Sequence, residues 1–246
     1  MLANNTEDQL LALMKDNEAL LTSFNQYKQE MSFFLSRMTH DIKNPLTLIN
    51  SSLQLMEKQE PSITEIPYWN SVKADLKDLF SLLDQLRTFN YGDSLALAWI
   101  DLEQLLIDTN TSFEAYAREK NVRLSLTLAD NCHPYVDHYL CDPVKLKESF
   151  VNLVKNAIEA AEDNSLVSIV CSVRDATLSI AITNMGPPID SNDLEKIFTP
   201  FYTTKAGGTG LGLPTVHKII AAHKGQLTVD SYEGKTTFTI SLPIET

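Results

Sequence analysis

From Leu10 to Met38, apolar side chains recur at alternating steps of three and four: Leu10, Leu13, Leu20, Phe24, Tyr27, Met31, Phe34 and Met38, with Asn17 filling the polar place in the row. That spacing is the seam of a helix packed along its length, and no proline or glycine interrupts it before Pro45. A helix of this length cannot cover its stripe alone, so residues 1–30 read as a coiled-coil segment of a parallel dimer or a bundle. A helix packed on its own domain is the plainer alternative. A seam amide such as Asn17 fixes register and strand number in a coiled coil.

The pattern runs on through Ile42, Leu46, Ile49, Leu53 and Met56 until EKQEPSITEIP, Glu57 to Pro67, breaks it with two prolines. A second helical row, Val72, Leu76, Leu79, Leu83 and Leu86, ends near Tyr91 and Gly92. The spacing therefore predicts an antiparallel hairpin over residues 31–92, and two such hairpins make a four-helix bundle. A boundary falls between Asn90 and Trp99. Beyond it the texture changes to a helix-like IDLEQLLIDTNTSFEAYAREK, an alternating VRLSLTL, a helix over roughly residues 142–162, the strands LVSIVCSV and TLSIAIT, a helix near residues 215–222, and the strands QLTVDSY and TTFTISL. Residues 97–246 thus read as an α/β sandwich. The whole chain is expected to be multidomain, α followed by α+β.

Composition narrows the partners. Against 20 basic residues stand 32 acidic ones, a net charge of −12, which repels phosphate backbones and argues against nucleic acid. Cys132, Cys141 and Cys171 have no metal-ligand spacing and read as reduced thiols. No apolar run approaches about 18 residues. The N-terminal MLANNTEDQL has neither a basic nor an apolar leader region, so this segment itself is expected to make no membrane contact.

Three stretches carry chemistry. In RMTHDIKNPL, His40 and Asn44 lie one helical turn apart on one face, while Met38, Ile42 and Leu46 turn toward the seam, so His40 projects outward. Asp41 can accept from one ring nitrogen, fix the tautomer and leave the other nitrogen nucleophilic. Pro45 removes the helical bond to the Asp41 carbonyl and predicts a kink. Taken alone, a solvated surface histidine also fits. In NLVKNAIEAAE, Asn152 and Asn156 share a helix face, where amide oxygens suit Mg²⁺, although two solvated polar residues look the same. GGTGLGL, Gly207 to Leu213, opens a helix with Pro214 in its first turn, and its glycines let backbone N–H groups approach phosphates. A glycine-rich hairpin is the alternative there. Lys205, ending FTPFYTTK, is a candidate charge for a terminal phosphate or a plain surface lysine.

HDIKNPL, NLVKNAIEA, TNMGPP, IFTPFYTTK and GTGLGL, in that order, resemble the H, N, G1, F and G2 boxes of the sensor histidine kinases of two-component systems, over roughly residues 30–244. The resemblance implies an ATP-dependent protein-histidine kinase, homodimeric through its helical hairpin, with a GHKL-type ATP-binding domain after it. It places the γ-phosphoryl group on His40, the general base on Asp41, and on Asn44 the positioning of water when a response regulator is dephosphorylated. The phosphoryl group would pass to an Asp of a response regulator receiver domain. Nucleotide would be held by Asn152, Lys155, Asn156, Asn184, Gly186, Lys205, Gly208, Thr209, Gly210, Leu211 and Gly212, with Mg²⁺ on Asn156 and a short ATP lid from Phe198 to Gly207. Related ATPases carry a Glu at the place of Asn152; an amide cannot serve as a base, which favours transfer over hydrolysis. The family's G1 box is usually Asp-x-Gly-x-Gly, and here it is Asn184-Met185-Gly186-Pro187-Pro188. A charge-assisted bond is roughly twice as strong as a neutral one, so weaker nucleotide binding is expected. The implied location is cytoplasmic, either free or as the inner part of a membrane-attached sensor. The alternative is a histidine phosphotransfer or scaffold dimer with a degenerate nucleotide site.

Overall fold

The computed structural model describes residues 18–174, 176–205 and 208–244, so Leu10, Leu13, Asn17 and Gly207 lie outside the described residues. The chain divides between Tyr91 and Gly92 into two compact units.

The first unit is a helical hairpin. Helix α1 (Glu18–Gln59) passes through Pro45 without ending, a 3-10 turn (Pro61–Glu65) fills the proline-broken stretch, and α2 (Trp69–Tyr91) returns. The ties between the helices are polar and run antiparallel. The Ser32 carbonyl accepts from Asn90 Nδ2 at 2.7 Å, Lys43 Nζ meets Asp84 at 2.8 Å, and Glu57 takes Trp69 Nε1 at 2.8 Å and Lys73 Nζ at 2.7 Å. Hydrogen bonds from Lys73 and Trp69 hold the Glu57 carboxyl below its ordinary range.

The single seam expected along α1 is in fact two rows. Leu35, Thr39, Lys43, Leu46, Asn50 and Leu53 line the half-buried to buried side facing α2, whose Leu76 and Leu83 are buried. Leu20, Tyr27, Met31, Phe34, Met38, Ile42, Ile49 and Met56 form another row, which is exposed together with Val72 and Leu79 of α2. Leu46 and Leu53 therefore do not share the side of Met38 and Ile42. The reason is geometric: side chains in adjacent heptad columns lie on different flanks of a helix, and a helix with two partners needs both.

The second unit is a sheet with helices on one face. Its elements are β1 (Ala98–Ile100), α3 (Leu102–Ser112), α4 (Glu114–Glu119), β2 (Arg123–Leu128), α5 (His133–Val136), β3 (Tyr139–Cys141), α6 (Pro143–Ala160), β4 (Leu166–Arg174), β5 (Thr177–Met185), α7 (Ser191–Leu194), α8 (Gly212–Ala222), β6 (Gln226–Tyr232) and β7 (Lys235–Pro243). The main sheet runs β2-β4-β5-β7-β6, with β2 parallel to β4 and the other pairs antiparallel. The short strands β1 and β3 pair separately, and neither was expected. The expected helix over residues 100–120 breaks at Phe113, whose N–H turns back to the Asn110 and Thr111 carbonyls while its ring meets Tyr116 edge-on.

Alternation decides what is buried. Leu178, Ile180 and Ile182 of β5 and Phe238, Ile240 and Leu242 of β7 point to one face. There they join Leu146, Phe150, Leu153, Ala157 and Ile158 of α6 and Val216 and Ile220 of α8 in one core. The thiols belong to this core: burial pushes Cys141 up to about 12, and burial beside Cys132 pushes Cys171 up as well. They are structural rather than reactive.

Helix α6 starts on Asp142, whose Oδ1 accepts from the N–H groups of Val144 and Lys145, both at 3.1 Å. His223, at the end of α8, packs against that start: its Nδ1 donates to the Ile219 carbonyl at 2.8 Å and its Nε2 accepts the Asp142 N–H at 3.0 Å. An acceptor nitrogen must be unprotonated, and burial pushes the His223 pKa down. Below the ordinary histidine value of about 6.5 the unfolded chain then binds more protons than the folded one, so stability falls as the pH drops. Urea unfolding compared at about pH 7.5 and about pH 5 should show a smaller loss for His223→Gln than for the wild type. Equal losses in the two proteins would contradict this reading of His223.

Candidate functional site

Two groups of candidate residues stand on the two units, one group on each. On α1, His40 and Asp41 present side chains 71% and 63% exposed. His40 Nδ1 lies 3.2 Å from Asp41 Oδ1 and 3.4 Å from Asn44 Nδ2. Arg37 Nε stands 3.9 Å from the other Asp41 oxygen, one turn back. The carboxylate contact is the shorter and the charged one, so it sets the tautomer: Nδ1 carries the hydrogen and donates it to Asp41. Nε2 then bears the lone pair, and among the described residues no side chain occupies it. His40, Asp41 and Asn44 are thus brought together.

In the second unit α6 serves two purposes. One stripe is core; the other carries Asn152, Lys155, Asn156 and Glu159 at helical spacing. Asn152 Nδ2 donates to the Glu148 carbonyl at 3.1 Å, which leaves Oδ1 pointing at the first residue of α8. A Cβ on Gly212 would stand 3.1 Å from that oxygen, so glycine there admits the amide. Lys205 Nζ donates to Asn156 Oδ1 at 3.2 Å and to Glu159 Oε2 at 2.6 Å. Tyr116 donates to the other Glu159 oxygen at 3.5 Å, and Lys155 lies 3.8 Å from it. Burial, with Glu159 close by, pushes the Tyr116 phenol up.

The segment before α8 brings backbone to the same place. Gly208 N–H is engaged by the Lys205 carbonyl, and Leu211 N–H by Thr209 Oγ1. The Leu211 side chain is wholly buried, so any ligand would meet only its backbone. Helix α8 begins without a side-chain cap, and Pro214 in its first turn has no N–H to satisfy. A helix start of this kind leaves first-turn amides that can receive an anion.

Asn184 continues the inward row of β5 after Ile182 and is 2% exposed. Its Nδ2 is buried and among the described residues has no hydrogen-bond partner. Gly186 next to it is pinned: its N–H donates to the Gly234 carbonyl, and a Cβ there would lie 2.1 Å from the Ala160 carbonyl oxygen at the end of α6. Among the described residues no group of three or more His, Cys, Asp or Glu side chains is gathered for a metal. The amide oxygens of Asn152 and Asn156 are donors of the kind that suit a hard ion such as Mg²⁺.

Glu159 and Tyr116 were not among the residues singled out from sequence. Glu159 was within reach of spacing, since it stands three residues after Asn156 and seven after Asn152 on the same helix face. Tyr116 was not, because its approach is tertiary.

Comparison with known proteins agrees with both units. Residues 141–246 match the family described as histidine kinase-, DNA gyrase B-, and HSP90-like ATPase, and residues 30–95 match the His Kinase A (phospho-acceptor) domain. Sporulation kinase E of Bacillus subtilis (strain 168) is 33% identical over 210 residues, covering 84% of this chain and 28% of that protein. The nucleotide-free catalytic domain of histidine kinase ThkA is 32% identical with a TM-score of 0.55, covering 61% of this chain and 97% of that one. Histidine kinase ThkA in complex with response regulator protein TrrA is 26% identical with a TM-score of 0.62, covering 93% of this chain and 67% of that one. The chain spans less than half the length of curated relatives such as the sporulation kinase.

Gly186→Ala forces either the β5 end or the α6 end to move, an overpacking cost of about 1–3 kcal/mol. The unfolding midpoint of that variant should fall accordingly. An unchanged midpoint would contradict the close approach of Gly186 to Ala160.

Proposed function

The chain belongs to the sensor histidine kinases, and on that premise we propose that it is an ATP-dependent protein-histidine kinase that phosphorylates His40 and passes the phosphoryl group to an Asp of a response regulator receiver domain. The reading rests on the exposed imidazole of His40 with its Nδ1 against Asp41. In the reaction Nε2 bonds to the γ-phosphorus, the bond from that phosphorus to the bridging oxygen breaks, and ADP leaves. Asp41 takes up the Nδ1 proton as the phosphorylated ring would otherwise become cationic. In phosphoryl transfer the protein mainly positions groups and neutralises charge.

The second unit supplies both. Asn156, with Asn152 behind it, is the proposed seat of Mg²⁺, which when bound would neutralise charge on the phosphates. Lys205 leaves Asn156 and Glu159 to meet the terminal phosphate, Lys155 lies alongside, and the backbone of Gly208 to Gly212 lines the phosphate path. Asn184 and Gly186 take the adenine side, where the unsatisfied Asn184 amide has a use. Asn152 cannot act as a base toward water, so transfer is favoured over hydrolysis.

The exposed row of Met31, Phe34, Met38, Ile42, Val72 and Leu79 supports a homodimer in which two hairpins form a four-helix bundle. Residues 31–92 are then the dimerisation and phosphotransfer domain, residues 97–246 the ATP-binding domain, and residues 1–30, of which 1–17 lie outside the described residues, the segment that brings in the signal. Asn44, one turn from His40, suits the positioning of water when the regulator is dephosphorylated. ThkA, which is solved with a response regulator, supports a partner of that class. No helix among the described residues is long and apolar enough to cross a membrane. A cytoplasmic location, free or as the inner part of a membrane-attached sensor, goes with the use of ATP.

Incubated with Mg²⁺ and γ-labelled ATP, the wild type should take up acid-labile label, and His40→Gln should take none while binding nucleotide as before. Label retained by His40→Gln would overturn the assignment.

A further inference from the structure

Asp142 is 4% exposed and uses its two carboxylate oxygens for different purposes. Oδ1 caps α6 through Val144 and Lys145. Oδ2 reaches out of the helix and accepts the Ala96 N–H at 2.8 Å. A cap alone asks for one oxygen, and Ser or Asn caps a helix as well as Asp does. The second oxygen is therefore committed to the segment 92–97, which follows the helical unit in the chain.

That segment is fastened at further points, all to the same two helices. Lys145 of α6 donates to the Ser94 carbonyl, and Lys218 of α8 stands 3.4 Å from Asp93 Oδ1. Leu95 and Leu97 line a cavity of about 160 Å³ together with Trp99, His138 and His223, the residue that accepts the Asp142 N–H. Trp99 and His138 stack across its edge with centroids 4.5 Å apart. Helix α6 carries Asn152 and Asn156, and α8 begins at Gly212. The linker is thus held by the very helices that shape the nucleotide site, at the end of α8 remote from it.

We propose that Asp142 is a positioning residue for phosphoryl transfer: by clamping residues 92–97 onto α6 and α8 it makes the segment that enters the second unit move as one body with the helices that carry Asn152, Asn156 and Gly212, and so governs turnover rather than nucleotide affinity. The inference rests on the kinase reading above. A fastened linker limits the orientations in which bound nucleotide can be presented, and orientation is a large part of the rate of any reaction between tethered groups. A loosened linker spreads the unit over unproductive orientations while leaving the site intact.

Asp142→Asn tests this in the full chain, because it keeps size and one acceptor oxygen for the two cap donors but loses the acceptor for Ala96. Asp93→Ala loosens the same linker without touching the cap. Both should lower the kcat of His40 phosphorylation at least about fivefold with the KM for ATP within about twofold. Both should speed amide hydrogen exchange over residues 92–97 at least about fivefold, with α6 unchanged. Unchanged kcat in both variants, or KM rising in step with the fall in kcat, would overturn the inference. If the wild type itself takes no label, the kinase reading falls. Exchange then decides the clamp: acceleration confined to residues 92–97 upholds it, and unchanged exchange removes it.

Discussion

The contact between α6 and the sheet organises the second unit, because one helix supplies both its core and its chemistry. Leu146, Phe150, Leu153 and Ala157 are buried in the core that α6 forms with β5 and β4, each worth on the order of 1–3 kcal/mol for the larger side chains. Once that stripe is seated, helical geometry leaves no freedom for the opposite one. Asn152, Asn156 and Glu159 must stand in a column, and Asn152 must meet the start of α8. Precision at the site is thus inherited from apolar packing several ångströms away. The same logic places Asn184, whose burial follows from its parity with Leu178, Ile180 and Ile182 on β5.

The hairpin works by a different rule. Its polar ties, Asn90 to Ser32 and Glu57 to Lys73 and Trp69, set register between α1 and α2. They leave a long apolar row uncovered on the same helix that presents His40. An exposed contiguous row of this kind marks an association surface rather than a finished exterior. The imidazole stands outside both rows, where a large partner can reach it.

Much of this was legible in the sequence, and the failures have physical causes. Long-period signals survived: the turn at the two prolines and the alternating strands of the main sheet stand where spacing placed them, and α1 is helical through its described residues although its seam is two rows. Heptad spacing by itself does not say how many neighbours a helix has, so Leu46 and Leu53 were grouped with Met38 and Ile42 although they face α2. Strands β1 and β3 are three residues each, too short to show alternation. The break at Phe113 carries no proline or glycine; it comes from backbone bonds and a ring contact that only the fold provides. At the site, residue types and their spacing were readable because motifs are local. The Lys205 contact with Glu159 and the reach of Asp142 to Ala96 join residues far apart in sequence. Neither could be anticipated without the fold.

The proposed function turns on one atom of His40: with the Nδ1 hydrogen donated to Asp41, Nε2 bears the lone pair and is the proposed nucleophile. The most direct measurement is phosphorus NMR of the ATP-treated protein, with nitrogen-15 in the imidazole, to assign which ring nitrogen bears the phosphoryl group. The account predicts a single phosphohistidine bonded through Nε2. A phosphoryl group on Nδ1 would contradict the tautomer argument, and phosphohistidine at a residue other than His40 would contradict the account as a whole.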